Sequence, residues 1–485
     1  MPKTDDATRA MRLVMGDGVA SQIMATLTSG PLLIGLALAL GASNMTIGLL
    51  CAAPFLGQLL QLPAIPLVER LRRRRLVTVV AAAANRVALL VAAATPLLPP
   101  SLALPVLCGA VLAHASLGAL AACGWNSWMR DLLPPERLGR FFADRLFLTT
   151  LAGAAVSYVA GRVIDAGHGA QPYVWLFAAG VACGTVAVAL LAVTPEPRMP
   201  PARERRSLRG LYAEPFRDAN FRRLMAFLAA WSFSVNLAVP FFTVMMLKRL
   251  GLDMAEVVLL GIVSQVAHLC VLRFWGRLSD RFSNKAVLGL CAPLFLVCLF
   301  GWTFVTFPDR HALSVPLLFV LHAAMGVALA GATLAAGNIG LKLSPEGRAT
   351  PFLAMGGVVS SMAAALAALL GGALAHVFET REMALTLRWS SPGGGFALDA
   401  VHLGHWDFFF LFACAVGLYA LHRLRMVTES GDVAGLEIIR RAWRSCVLVV
   451  RPRRLAPLPR QDAPERRHVG ALAALGEEGG GLHGG

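Results

Sequence analysis

"WNSWMRDLLPPERLGRFF" (Trp125–Phe142) and "GNIGLKLSPEGRATPF" (Gly337–Phe352) can be laid one over the other. Asn126 falls on Asn338 and Arg130 on Lys342, 212 residues apart. Pro135-Glu136 falls on Pro345-Glu346 at 210, and Gly139-Arg140 on Gly347-Arg348 at 208, a drift that one short deletion explains. Other anchors share the period. Glu69-Arg70 in "LVERLRRRRLV" lies 211 residues before Asp280-Arg281 in "LSDRFSNKAVL". Arg12 and Pro31 lie over Arg223 and Pro240, and Gly41 over Gly251. Several anchors at one offset mark a duplicated chain.

What is duplicated follows from composition. The 485 residues are 57% hydrophobic and 15% charged, whereas a soluble domain carries about 25% charged residues. About twelve apolar stretches are long enough to cross a bilayer, which takes ~20 residues each. They fall near 18–39, 45–67, 77–98, 103–128, 144–165, 173–193, 223–246, 256–276, 286–306, 313–341, 351–377 and 406–425. Glycine and proline recur inside them, as in membrane bundles, and "LAALLGGALA" lacks the alternation of a barrel strand. The expected fold is an all-α polytopic membrane protein of about twelve transmembrane helices in two pseudo-symmetric six-helix halves. The halves are 1–193 and 223–425, joined by a basic linker at 194–222 and followed by a tail, 426–485, that is basic and then Gly-rich. Residues 379–405, with their Ser-Pro-Gly-Gly-Gly turn, predict an outer hairpin or lid.

The formal charge of +16 is distributed by position. Of 44 Lys and Arg, 37 fall in the termini and the even-numbered connections, six in the odd ones, and Arg86 inside the third span. Cytoplasmic connections collect these charges because they resist translocation, so both termini are expected in the cytoplasm. The charge therefore requires no nucleic acid. "MPKTDDATRAMRLVMG" lacks the basic-then-apolar pattern of a signal peptide. Nine scattered cysteines show no metal-ligand spacing. His402, His405 and Asp407 are one small group at a helix start, short of the ligand set a metal needs. No cofactor and no metal are expected.

Duplicated six-helix halves are the architecture of secondary transporters, with the solute site between the halves. With "GRLSDRFSNK" (276–285) the pattern resembles the major facilitator superfamily over residues 12–425. The family's loop signature is kept at Gly276, Asp280, Arg281 and Lys285, with Ser283 at the second glycine position. The first-half copy keeps Glu69, Arg70, Arg73 and Arg74, but has Ile65 and Arg72 where the glycines belong. "WNSWMRDLLPPERLGRFF" and "FRRLMAFLAAWSFSVNLAVPFFTVMMLKRLGL" are similar to a bacterial subgroup, which implies the cytoplasmic (inner) membrane and a monomer. A carboxylate at a helix end that holds loop arginines in one state and frees them in another can gate a rocking motion. Asp280–Arg281 suit that role, as do Arg130, Arg140 and Arg348 beside the repeated turn. Arg72–Arg75 read first as topology determinants.

Ionisable and polar groups inside the spans are the remaining candidates. Asp17, Ser21, Gln22 and Thr28 run along the first span, a cavity-lining helix in the resembling family. Trp231 and Asn236 lie in the seventh. His114, His268 and His322 can titrate near neutral pH, although a lone histidine can equally be bonded to a neighbouring helix. Asn126 and Asn338 end the fourth and tenth spans. Arg86 lies about 15 Å into the third span at 1.5 Å per residue. It reads either as a static partner of Asp17 or of helix-end carbonyls, or as an anion-binding or gating residue. The fifth span lacks the Gly-Pro step of drug antiporters.

The expected function is secondary active transport of a small solute, coupled to a proton or another ion, by alternating access between the halves. A transport-inactive receptor or chaperone on the same fold is the alternative. A membrane-embedded enzyme is less favoured, because no paired acids, Ser/His pair or phosphate loop stand at matching depth.

Overall fold

The computed structural model describes residues 4–133, 135–197, 208–306, 311–345, 349–391 and 394–430. Arg348 and the tail beyond 430 lie outside them. In chain order the helices are α1 (Thr4–Thr28), α2 (Gly30–Ala39), α3 (Asn44–Gln58), α4 (Gln61–Leu71), α5 (Arg74–Ala94), α6 (Pro100–Leu132), α7 (Pro135–Ala166) and α8 (Gln171–Ala192). Next come α9 (Leu208–Arg217), α10 (Ala219–Lys248), α11 (Met254–Arg281), α12 (Asn284–Gly301), α13 (Ser314–Leu343) and α14 (Ala349–Phe378). A hairpin of β1 (Glu382–Ser391) and β2 (Gly394–Gly404) leads into α15 (His405–Arg425).

Eleven stretches among the described residues are long and apolar enough to cross a membrane. The second expected span, 45–67, is not one of them, because it is broken into α3 and α4 at Leu59–Leu60. Pro54 sits inside α3, Pro63 in the first turn of α4 and Pro66 farther along it. A proline N1–N3 position needs no backbone donor, so Pro63 restarts a helix that the missing N–H would otherwise interrupt. The first span bends at Ser29 for the same reason. Gly30 has φ +58°, Pro31 opens α2, and the Ser29 hydroxyl donates to the Ala25 carbonyl at 2.6 Å.

The chain is not purely helical. β1 and β2 pair antiparallel from Glu382–Gly404 to Ser391–Gly394, with an irregularity at Leu385/Thr386. The linker holds its own short helix, α9, which lies against α14.

Five apolar residues of the stretch 125–142 belong to the core, while Asn126, Arg130, Asp131 and Arg140 are exposed. Trp128, Met129, Leu132, Leu133 and Phe141 are buried against Ala10 and Val14 of α1 and Leu191 of α8. The Trp128 indole N–H donates to the Pro195 carbonyl at 2.9 Å, satisfying its one polar atom. Its apolar residues therefore fix the end of α6 against α1 and α8, and the turn between α6 and α7 follows.

The two halves touch at the face opposite the start of α1 and the end of α15, which together mark the terminal face. Gly48 of α3 and Gly372 of α14 lie backbone to backbone. A Cβ on Gly48 would stand 2.5 Å from the Ala368 carbonyl oxygen, and one on Gly372 would stand 2.6 Å from that of Asn44. Ala52, Ala365 and Ala368 continue the contact. Toward the terminal face the same pair of spans parts into a cleft of about 210 Å³, lined by Gln58, Gln61 and Ile65 on one side and Leu353, Gly357 and Ser361 on the other.

Candidate functional site

Three polar assemblies among the described residues take in the candidate residues of the bundle. The first surrounds Asp17, which is 3% exposed. The Ser21 hydroxyl, one turn on, donates to its Oδ1 at 3.2 Å, and Arg145 of α7 reaches its Oδ2 at 3.5 Å. Arg145 also donates to the Val14 carbonyl at 3.4 Å and sits 5.0 Å from the centre of the Trp125 ring. Gly18 makes room: a Cβ there would stand 2.4 Å from Arg145 Nε. Farther along α1 the Gln22 amide donates to Thr26 at 3.3 Å, and the Thr28 hydroxyl donates to the Met24 carbonyl at 2.8 Å. Thr28 is thus satisfied within its own helix.

The second assembly crosses α6, α5 and α8. Asn85 donates to the His114 carbonyl at 2.6 Å and accepts from Arg86 at 3.1 Å. Arg86 also donates to the carbonyls of Gly184 at 3.1 Å and Ala82 at 3.2 Å. Arg86 is therefore held by carbonyls in mid-helix, and it is Arg145 that pairs with Asp17. His114 Nδ1 is buried with no hydrogen-bond partner among the described residues. In the second half His322 is core: its Nδ1 meets the Leu318 carbonyl at 2.8 Å and its ring lies edge-on to Trp302, 5.5 Å between centres. Trp231 packs edge-on to Phe295, and Asn236 donates to the Ser232 carbonyl at 2.8 Å. His268 and Asn338 are half-buried, and Asn126 is exposed.

The third assembly occupies the terminal face and repeats in the two halves. Arg74 is fully buried although its neighbours Arg73 and Arg75 are exposed. It donates to Asp131 at 2.5 Å, to the Ser127 carbonyl at 2.9 Å and to the Pro197 carbonyl at 3.0 Å. The start of α5, the end of α6 and the chain after α8 are thereby clamped together. Reading Arg72–Arg75 as one topological run misses this, since a run of like residues does not show which one turns inward. Arg74→Ala should lower stability by about 1–3 kcal/mol, and Arg73→Ala should stay within about 0.5 kcal/mol. Melting in detergent measures both.

In the second half the clamp is acidic. Glu429, after α15, is buried and accepts from the Asn284 N–H at 3.2 Å, the Asn284 amide at 3.0 Å and the Lys285 N–H at 2.7 Å. Lys342 Nζ, at the position of Arg130 in the repeat, is 3.0 Å away. Burial alone would raise the Glu429 pKa, but these donors outweigh it and hold the group below its ordinary value. A depressed carboxylate stabilises docking above its unfolded pKa and loses that contribution as pH falls through the folded one. Backbone protection of residues 427–430 in hydrogen exchange should therefore drop below the ordinary glutamate range, and Glu429→Gln should show the drop already at neutral pH.

The signature residues are arranged more loosely. Arg70, Arg73, Asp280 and Arg281 are exposed, and the Arg281 guanidinium lies 5.6 Å from the centre of the Phe282 ring. Glu69 falls in the last turn of α4, and Gly276 has only Leu334 near the site of a Cβ, at 4.0 Å. Arg130 is exposed, and Arg140 faces Asp144 at 4.0 Å on the surface.

Asp165 is a residue that sequence reasoning passed over. It lies in the last turn of α7, where a helix dipole disfavours an acid. Its two oxygens accept from the backbone N–H groups of Met254 at 2.8 Å and Ala255 at 2.9 Å, the first residues of α11. An acid from one half thus caps a helix of the other, beside the close approach of Gly161 to Ala255. An acid at a helix C-terminus was the available signal. Gln58 and Gln61, amides in an apolar span, were the signal for the cleft.

No curated protein matches the sequence. Solved structures match along nearly all of the bundle. A variant of the nucleoside transporter NupG superposes with TM-score 0.67 at 11% identity, covering 87% of this chain and 100% of that one. A D-xylose-proton symporter gives 0.62 at 15% identity over 88% and 99%. A bacterial homologue of the iron transporter ferroportin, in an inward-facing state, gives 0.62 at 12% over 88% and 100%. These likenesses establish the fold. The sequence profile of the Major Facilitator Superfamily matches residues 18–308, more than half of the chain, and the protein belongs to that superfamily of membrane transporters.

Proposed function

We propose that the chain is a secondary active transporter that moves a small solute by alternating access between its halves, 1–193 and 223–425, with transport coupled to a proton or another ion. The observation that carries this reading is the asymmetry of the seam between the halves. It is shut by backbone contact at Gly48/Gly372 and by the Asp165 cap at one face, and parted into the Gln58/Gln61/Ser361 cleft at the other. A rocking bundle needs such a pair of alternately made seams. The basic linker and tail favour placing the terminal face in the cytoplasm, which makes this arrangement open inward. The protein acts as a monomer in the inner membrane. Asp17 with Arg145 is the proposed coupling pair, and Asp280–Arg281 with the terminal-face clamps gate the rocking.

A thermal-shift screen of metabolites on the purified protein identifies a ligand. Flux of that ligand is then followed in proteoliposomes with and without a pH gradient. Gradient-dependent flux is the expected result, flux driven only by another ion would relocate the coupling, and binding without flux would favour a receptor on the same fold.

A further inference from the structure

The β1–β2 hairpin has no counterpart in the first half. There α7 ends at Ala166 and α8 begins at Gln171, whereas α14 ends at Phe378 and α15 begins at His405. The duplicated frame closes without such an insertion. The register separates its residues by character: Met383, Leu387 and Trp389 pair with Leu403, Leu398 and Phe396. The alternate positions Glu382, Thr386 and Arg388 pair with Gly404, Asp399 and Ala397. Successive residues of a strand face opposite ways, so β1 carries Met383, Leu387 and Trp389 on one face and Glu382, Thr386 and Arg388 on the other. Met383 is 50% exposed, Leu387 57% and Trp389 64%. A two-stranded hairpin is marginal in water by itself, and its apolar face needs a cover.

The surroundings identify that cover as lipid. Both ends of the hairpin run directly into membrane-spanning helices. On α14 the exposed residues Met362, Leu366, Leu370 and Val377 follow helical spacing along the surface that a bilayer must cover, and Met383 comes soon after the last of them. Only residues 379–382, polar and exposed, separate the apolar surface of the span from that of the strand. Trp389 is the side-chain type that settles at a membrane–water boundary. Arg381 and Arg388 are outnumbered by Glu379, Glu382 and Asp399, so the segment offers no excess of cations to anionic headgroups.

We propose that the hairpin lies on the bilayer surface at the face opposite the termini, with Met383, Leu387 and Trp389 in the headgroup–acyl boundary and the Glu382–Thr386–Arg388 side in water. The test uses the full chain carrying Leu387→Cys or, separately, Arg388→Cys, labelled with an environment-sensitive maleimide and corrected for the label taken up by the unsubstituted chain. Each is reconstituted into phosphatidylcholine vesicles containing lipids brominated near the headgroup. The label at 387 should emit to the blue and be quenched at least about twofold more than the label at 388, as burial of one face in the interface requires. Equal, water-like emission at both positions would overturn the proposal. So would a label at 387 that is shielded from bromine but cross-links to a second copy of the chain. If Leu387→Cys does not fold, Trp389→Cys probes the same face with the same two readings.

Discussion

Asp17→Asn should abolish coupled flux while leaving the helical bundle in place. The carboxylate is 3% exposed, and its partners are the Ser21 hydroxyl and Arg145. Asparagine keeps the shape and an acceptor oxygen but removes the charge, and Arg145 is left between α1 and Trp125 with no anion. Losing a charge-assisted hydrogen bond in such a place costs about 1.5–3 kcal/mol, which is on the order of a 10- to 150-fold change in any equilibrium the pair controls. Melting temperature in detergent should fall, and flux should fall with it. The double variant Asp17→Asn/Arg145→Gln separates the two roles, because it removes the stranded cation as well as the acid. Recovered stability without recovered flux is the expected outcome. Recovery of both would make the pair a packing device and sink its role in coupling. Gly18→Ala gives a gentler version, since its methyl would stand 2.4 Å from Arg145 Nε and push the guanidinium aside.

The duplication, and with it the fold, was legible because anchors such as Asn126/Asn338 and Glu69-Arg70/Asp280-Arg281 keep their spacing whatever their side chains do. Period and polarity are properties of the chain, and the twelve apolar stretches followed from them, apart from the second, where three prolines break one crossing into two helices. The hairpin was visible as a turn in an overlong connection, but its two-faced register emerges only once the strands pair. The site was less legible. Asp17 stood out because an acid in an apolar helix is costly, yet nothing in sequence joins it to Arg145, 128 positions away. Arg86 stood out equally and proved to be held by carbonyls, which every residue carries and no sequence displays. His322 shows the same limit from the other side: its partner is the Leu318 carbonyl and its neighbour the Trp302 ring, and neither contact can be read from the sequence. Residues such as Arg74, Asp165 and Glu429 work by reaching another element, and the distance they span is set by the fold.

Gly372→Val is expected to unlock the face opposite the termini. The atoms its side chain would meet are the Asn44 carbonyl oxygen, 2.6 Å from the Cβ position, and the Met45 Cα at 3.0 Å. Both belong to the backbone of α3 and cannot rotate away, so α3 and α14 must separate. Asp165→Ala attacks the same face differently, by leaving the N–H groups of Met254 and Ala255 uncapped at a loss of about 0.5–2 kcal/mol. Each variant penalises the state in which this face is shut, and every 1.4 kcal/mol moves the open-to-shut ratio about tenfold. Cys51 is a native reporter, packed beside the Ala52/Ala365/Ala368 contact on α3. Its reaction with an impermeant thiol reagent applied from the hairpin side should quicken about tenfold or more in Gly372→Val and less in Asp165→Ala. Gly289→Ala, where a Cβ meets nothing within 4 Å, should change nothing. If the two glycines only pack a static bundle, a valine there lowers stability but leaves the folded fraction as unreactive as the unsubstituted chain. A Cys51 rate unchanged in well-folded Gly372→Val would then place the moving seam elsewhere.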